Sequence, residues 1–505
     1  MNPADIAREL TRELERAGFT ADTIAAHLGP DATEALHRGE PGAVLEACDD
    51  SVLSGLIRFF LLRQPMSAEE LARFLPARLV LSLIDASVAT RTPSGDIEVA
   101  LDLRPHIIAG ADRLIFSDMD ASVTEHVPGP DHVLGVGAAS LSLLSATPLT
   151  PVGTVLDLGT GSGVQALAQA GTAQHVTATD VHPRALDLAA ATLAGAGITN
   201  VELREGPWFD PVAGQRFDRI VANPPFVVGP PEVGHVYRDS GLDLDGATEL
   251  VVKQAPEHLA ADGTAYILGA WVHTDDQPWE HRVAAWLPPN GVSAWVCQRD
   301  VVDPALYVST WLKDESIDPR SKEGVERTRR WLDHFRQAGV RAVGFGWIFL
   351  RDIGDAPTEA TFETLDQPFT DPLGPEVEEY FIRMDWLRTA TTDDILDSRF
   401  TVRPGVALED VAVADSERGM GFETQVKRLT RTDGPRFTHE IDDAVAAIVS
   451  GLNPNGLPLR DIVSIFAASQ GLDDADEETL TRQAASVVVD LIRHGLVLPQ
   501  EVVLP

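Results

Sequence analysis

Apolar residues recur at helical spacing over residues 4–17 and again over 51–64, where Leu53, Leu56, Ile57, Phe60 and Leu61 form one stripe. Ser67, with Glu70 three residues on, reads as a capping box that opens a helix over 68–74. A second helix is predicted over 77–84. Patterned segments on either side of Pro93-Ser94-Gly95 then predict a hairpin. Helix, helix, hairpin is the order of a winged helix, and a plain helical cap on the next domain fits the same pattern. Residues 1–120 are therefore expected to form a helical N-terminal domain of one of these two kinds.

The pattern changes from residue 121 to 355. Strand-like runs at 154–158, 175–180, 201–204, 217–222, 264–270, 292–299 and 343–350 alternate with helical segments. Such alternation predicts an α/β domain with a parallel sheet covered on both faces. One insertion, 318–340, has Ser321 as its N-cap and an expected inner stripe of Val325, Thr328, Leu332 and Phe335. Arg320, Lys322, Arg327, Arg329, Arg330, Arg336 and Arg341 make it the most basic stretch of the chain. Residues 356–437 are rich in Asp, Glu, Thr and Pro, with short β-like runs at 400–403 and 411–414, and predict a small β-containing linker domain. Helical periodicity returns over 438–505, for a C-terminal domain that is either plain helical or winged-helix-like.

Composition narrows the setting. A chain of 505 residues suits about three domains. It has no uncharged apolar run long enough to span a membrane, and its start lacks the basic-then-apolar order of a secretory signal. Cys48 and Cys297 are the only cysteines, which gives neither a disulfide framework nor a zinc spacing. A cytoplasmic protein without metal or membrane partner is the expectation. A net charge of −37 argues against nonspecific coating of nucleic acid, though a local basic face remains compatible with it.

Two motifs carry the chemistry. The run Asp157-Leu158-Gly159-Thr160-Gly161-Ser162-Gly163 follows a strand and opens a helix near Val164. Glycines let the backbone turn sharply and approach a ligand, and the helix start adds oriented N–H groups. The spacing Gly-x-Gly-x-Gly meets the dinucleotide fingerprint only in part. Asp180 ends the next strand, where a carboxylate can accept hydrogen bonds from ribose hydroxyls. A pyrophosphate would not call for an acid such as Asp157 beside the loop, whereas an amino-acid ligand would. The second motif, Asn223-Pro224-Pro225-Phe226, ends another strand 66 residues after Asp157. A conjugated amino or amide nitrogen is a poor nucleophile. An Asn side-chain oxygen and the Pro224 carbonyl can each accept one of its N–H groups and turn its lone pair toward a methyl donor. Phe226 is expected to stack on the flat acceptor, and positioning with desolvation supplies most of the rate.

The first motif, Val155 to Gly163, resembles that of class I methyltransferases, closest to the HemK-like and small-methyltransferase branch. The likeness covers about residues 125–310. It implies a Rossmann-like class I methyltransferase sheet flanked by the helical N-terminal domain and a small α/β plus helical C-terminal region. It also implies S-adenosyl-L-methionine as cofactor, held by Asp157, Gly159, Thr160, Gly161, Gly163, Asp180, Val181, Gly206, Trp208 and Asn223. Asn223, Pro224, Pro225 and Phe226 resemble the catalytic motif of enzymes that methylate base amino groups or the glutamine amide. Pro128-Gly129-Pro130-Asp131-His132 stands where relatives have a cofactor-covering segment, and Tyr237 to Asp243 contains a Gly-Leu-Asp that follows the motif in that branch. One departure is Glu205-Gly206-Pro207-Trp208, with proline near the usual adenine-binding acid. A lip over the acceptor is expected from 229–235, with no catalytic role for His235. The expected activity is N-methylation of a nucleic-acid base, RNA before DNA. A protein glutamine of release-factor type is the alternative, and a regulator without turnover is a third reading.

Overall fold

Helix α1 (Pro3–Arg16) begins where Asn2 and Asp5 cap each other's N–H groups. The computed structural model of the chain describes residues 1–119, 129, 131–231, 240–314 and 317–502. After α1 come α2 (Ala21–His37), α3 (Pro41–Ala47), α4 (Val52–Leu56), α5 (Ala68–Leu71) and α6 (Ala77–Asp85). The stripe at 51–64 is helical as expected, but widens into a π turn over Ile57–Leu61. Ser67 and Glu70 form the capping box at α5. Strands β1 (Ala89–Arg91) and β2 (Ile97–Val99) make the hairpin around Gly95. Met66 forms an isolated antiparallel bridge with Ile97. The helices and the hairpin follow in the expected order. A further hairpin, β3 (Asp102–Ile108) with β4 (Ala111–Ser117), follows it. Leu10, Leu14, Phe59, Phe60, Leu79 and Leu83 share one core with Ala185, Leu188 and Ala191 of the α/β region. The helical N-terminal region is thus fastened to the sheet's helical layer by apolar packing.

Helix α7 (Ala138–Ala146) leads into an eight-stranded sheet. Its strands are β5 (Val152–Leu158), β6 (Ala173–Asp180), β7 (Val201–Glu205), β8 (Phe217–Ala222), β9 (Leu259–Thr274), β10 (Asn290–Val302), β11 (Val340–Pro357) and β12 (Glu359–Thr364). The order across the sheet is β12-β10-β11-β9-β8-β5-β6-β7. All seven expected strands are present. The sheet is not wholly parallel, because β11 enters antiparallel between β9 and β10. It also reaches Thr364, since β12 pairs parallel with β10 at the edge. Between strands lie α8 (Val164–Gln169), α9 (Pro183–Gly195), α10 (Gly246–Gln254), α11 (Trp279–Ala284), α12 (Pro304–Asp314) and α13 (Lys322–Gln337).

Ser321 caps α13 by accepting from the Gly324 N–H. The inner face of α13 is formed by Gly324, Thr328, Trp331, Leu332 and Phe335, while Val325, expected inside, is exposed. Its cations are largely answered: Arg327 pairs with Glu323, Arg336 with Asp333, Arg341 with Asp275 and Arg320 with Asp318. The helix is a mixed-charge face more than a basic one.

By contact density the residues fall into two compact units, Met1–Leu144 with Leu149–Thr364, and Ser145–Pro148 with Leu365–Pro505. The second unit contains α14 (Leu373–Thr389), α15 (Thr392–Asp397), β13 (Phe400–Val402), β14 (Val406–Ala414), β15 (Phe422–Arg431) and β16 (Thr438–Ile441), then α16 (Asp443–Ser450), α17 (Leu459–Gln470), α18 (Asp474–Arg493) and β17 (Val497–Pro499). Strands β14, β15 and β16 form one sheet. Strand β17 pairs with β13 instead of folding into a terminal wing hairpin. One core joins Phe400, Leu429, Val463, Val488 and Leu491. The linker and helical segments expected at 356–437 and 438–505 are thus packed together over most of their length. Among the described residues, no helix is long and apolar enough to cross a membrane.

Candidate active site

Parallel register brings the motifs together. Asp157 of β5 lies opposite Ala178 of β6 and Val221 of β8, and Asp180 lies opposite Glu205 of β7. The loops after these strands therefore emerge at one edge, the carboxyl end at which open α/β sheets bind ligands. A cavity of about 450 Å³ opens there, lined by Gly159 to Ser162, Asp180 to His182, Gly206 to Trp208 and Asn223 to Pro225. Of the ten residues expected to hold a cofactor, Gly159, Thr160, Gly161, Asp180, Val181, Gly206, Trp208 and Asn223 line it. Asp157 and Gly163 stand behind it.

The loop's shape follows from its glycines. Gly159, Gly161 and Gly163 have φ of 75°, 54° and 84°, a region in which a Cβ is strained. A Cβ at residue 163 would also lie 3.2 Å from Ala189 Cα, so only glycine lets α8 approach α9 this closely. The loop's N–H groups are turned into the fold. Gly159 and Thr160 donate to the Thr179 carbonyl at 2.9 and 2.8 Å, and Gly161 donates to Asp180 Oδ2 at 2.9 Å. A pyrophosphate needs such groups free, so this loop is a poor dinucleotide cradle.

Asp157 is buried, and its Oδ2 accepts from Thr160 Oγ1 at 2.6 Å and from the Ala166 N–H at 2.9 Å. Its Oδ1 is buried without a hydrogen-bond partner. Burial pushes this carboxyl up to about 6, against the pull of those two bonds, with the nearby Asp180 charge adding to the rise. Asp180 is likewise raised by burial, opposed by bonds from the His182 and Gly161 N–H groups. Asp157 does not itself line the cavity wall. It organises the loop from beneath and leaves one unanswered oxygen there. A ligand bearing an ammonium and hydroxyl donors suits this pair of acids, and the cavity fits S-adenosylmethionine in chemistry and size.

At the end of β7 the Gly206 N–H donates to the Asp180 carbonyl, and Trp208 takes a φ of 50° while lining the cavity. Pro207 contributes no N–H there. On the acceptor side Asn223, Pro224 and Pro225 line the cavity and Phe226 does not. Phe226 instead packs edge-on against Phe345, with ring centroids 6.4 Å apart. This contact braces the loop. Sequence reasoning missed the other brace. Tyr307 of α12 is buried, and its hydroxyl accepts from the Val228 N–H at 2.6 Å. Trp331 of α13 covers Gly229 so closely that a Cβ there would lie 2.9 Å away. The only hint was the length of the 318–340 insertion. Gln165 and Ser140, which close the upstream wall through a 2.9 Å bond, also went unread.

His132 lines the cavity, as the covering-segment reading requires, while Pro128 and Pro130 lie outside the described residues. Tyr237, Arg238, Asp239, His235 and most of the expected lip also lie outside them. Asp243 pairs with His334 of α13 at 2.7 Å.

Residues 134–271 match the family described as Methyltransferase small domain. Residues 16–100 and 378–499 match two families described only as domains of unknown function, DUF7059 and DUF7782. Among curated relatives, the release factor glutamine methyltransferase of Xylella fastidiosa (strain Temecula1) is 37% identical over 131 residues, 23% of this chain and 46% of the relative. The ribosomal protein uL3 glutamine methyltransferase of Bradyrhizobium diazoefficiens is 36% identical over 168 residues, 30% of this chain and 53% of the relative. The chain thus spans about half the length of these relatives. A solved 16S rRNA N2 G1207 methyltransferase of T. thermophilus, in complex with AdoMet and guanosine, is 20% identical, with a TM-score of 0.28, over 43% of this chain and 56% of that one. Residues 134–271 are thus a methyltransferase small domain, similar in sequence to the S-adenosylmethionine-dependent glutamine methyltransferases named above.

Proposed function

We propose that the chain is an N-methyltransferase acting on the side-chain amide of a protein glutamine. The observation that carries this reading is Asn223-Pro224-Pro225 in the wall of the same cavity as Asp180 and the glycine loop. S-adenosylmethionine bound there supplies an electrophilic methyl group. Asp180 accepts from the ribose hydroxyls, and Asp157 holds Thr160 and the start of α8 so that the loop keeps its shape. The Asn223 side-chain oxygen accepts one amide N–H and the Pro224 carbonyl the other. This favours a pyramidal nitrogen with its lone pair directed into the cavity. Tyr307 and Phe345 keep the loop from yielding, and the amide loses its proton after transfer, so no base is required.

Two observations favour glutamine over an RNA base. The matched relatives carry glutamine methyltransferase names, and the arginines of the 318–341 stretch are mostly answered by Asp or Glu. The test is transfer of label from the donor into total protein, RNA and DNA of cells lacking the gene. Label is expected in protein, on glutamine. Label confined to RNA would replace the acceptor and keep the reaction, and no transfer with bound donor would end the enzyme reading.

Donor binding should depend on pH. The carboxyl of Asp157, raised to about 6, is charged above that value and neutral below it. An ammonium-bearing donor prefers the charged form, so affinity is expected to hold from about pH 8 down to about 7 and to fall below about 6. Calorimetry across that range reads it out. A flat profile would remove Asp157 from recognition of the donor's charge.

A further inference from the structure

A second cavity, of about 300 Å³, lies between α1, the start of β4 and the end of α9. Helix α9 carries Ala185 at the donor cavity and Gly195 at this one, so the two are about 15 Å apart along the helix at about 1.5 Å per residue. Arg8, Arg12 and Arg113 line it. Among the described residues none of these three guanidinium groups has an ion pair or hydrogen bond, in a chain of net charge −37 whose other arginines are commonly paired. Arg8 and Arg12 stand four apart on α1, a like-charge spacing that disfavours the helix unless an anion sits between them.

The floor supplies a second, independent observation. Thr11 is 6% exposed, and its hydroxyl has no hydrogen-bond partner. A Cβ at Gly195 would lie 2.7 Å from that oxygen, so the glycine is what leaves room beside it. Buried hydroxyls are normally satisfied, and an orphan calls for an explanation. The two carboxylates of the lining do not supply one. Asp112 is turned toward α2, where its Oδ1 accepts from the Ala21 N–H at 2.7 Å, and Glu15 is exposed at the rim.

We propose that this cavity binds an oxyanion of the phosphate class, with Arg8, Arg12 and Arg113 answering its charge and the Thr11 hydroxyl donating from below. Arginine forks match phosphate oxygens in geometry and charge. Free phosphate and a phosphodiester of RNA share this chemistry. The site is independent of the methyl acceptor, and its failure would leave the methyltransferase reading intact.

The test titrates the full chain with inorganic phosphate, following the Thr11 and Gly195 amide resonances, and then adds a single-stranded RNA oligomer. Saturable binding is expected. The Arg12→Gln/Arg113→Gln variant should weaken it by roughly tenfold or more, with a smaller loss in Thr11→Val. Unchanged S-adenosylmethionine binding in the same variants shows that the fold is kept. Displacement of phosphate by the oligomer identifies a phosphodiester as the ligand, and phosphate binding without displacement identifies the free ion. No saturable binding of either probe, or equal binding in wild type and variants, overturns the proposal.

Discussion

Replacing Asn223 with alanine is expected to lower methyl transfer by at least roughly 100-fold, the scale on which loss of one aligned polar contact to a developing charge is felt, while donor affinity changes only a few-fold. The separation follows from where the side chain sits. The proposed donor contacts come from the loop after β5 and from Asp180, whereas Asn223 begins the segment that follows β8. Its backbone position is fixed from both sides, by the β8 pairing with β5 and by the Tyr307 bond to the Val228 N–H at 2.6 Å. The alanine variant should therefore keep the loop and lose only the acceptor for the amide N–H. Asn223→Asp keeps an acceptor oxygen beside a nitrogen that becomes cationic on transfer, so turnover well above that of the alanine variant is expected. Steady-state rates with the labelled donor, set beside calorimetric donor binding, distinguish these outcomes. Undiminished turnover in Asn223→Ala would remove the residue from the chemistry. Equal loss of binding and turnover would make it a donor ligand instead.

The donor and acceptor motifs were legible because each sits at the end of a short, apolar, parallel strand, and in such a sheet the strand ends share an edge. Asp157, Asp180 and Asn223 could therefore be grouped from spacing alone. What spacing does not encode is which way a side chain turns once its neighbours arrive. Asp157 faces inward because Thr160 and the Ala166 N–H claim one oxygen. Phe226 turns to Phe345, a residue of β11 far along the chain. The antiparallel entry of β11 left no local trace, since its apolar run reads the same in either direction. Strand β12 was missed because Glu359 to Thr364 is an edge segment with polar residues interleaved. Helix α2 was missed because Gly29-Pro30 breaks its periodicity with a φ of 75° at the glycine. On α13, Trp331 took the inner place assigned to Val325. Both choices satisfy a 3.6-residue repeat, and only the position of Tyr307 and Gly229 decides between them.

The second unit depends on a charge cluster whose disruption should be costly. Glu376 of α14 is 4% exposed and lies between Arg383, 0% exposed, and Arg431 of β15, 2% exposed. Its two oxygens accept from Arg383 Nη2 at 2.6 Å and from Arg431 Nη2 at 2.5 Å. The same guanidinium groups donate to the Arg493 and His494 carbonyls at the end of α18. One carboxylate thus ties α14, β15 and α18 together. Burial would raise its carboxyl, but Arg383 first and then Arg431 override burial and hold it below the ordinary carboxylate value. A depressed carboxyl contributes stability that is present above its unfolded value and lost as pH falls through the folded one. The unit should accordingly weaken in acid. Glu376→Ala removes the carboxylate that both buried cations share, leaving Arg383 with Glu379 and Arg431 with Asp433, and is expected to destabilise the unit by about 3 kcal/mol. The variant should also flatten the acid dependence, since the group that titrates is gone. Hydrogen exchange at Val488, Leu491 and Ile492, all in the α18 core, reports the loss, with donor binding measured alongside as the readout of the other unit. Replacing the three charges together by Leu and Met of similar volume should cost far less, because apolar packing can stand in for a buried triad. If the single variant keeps its exchange protection, water reaches these arginines and the cluster is not what holds the unit.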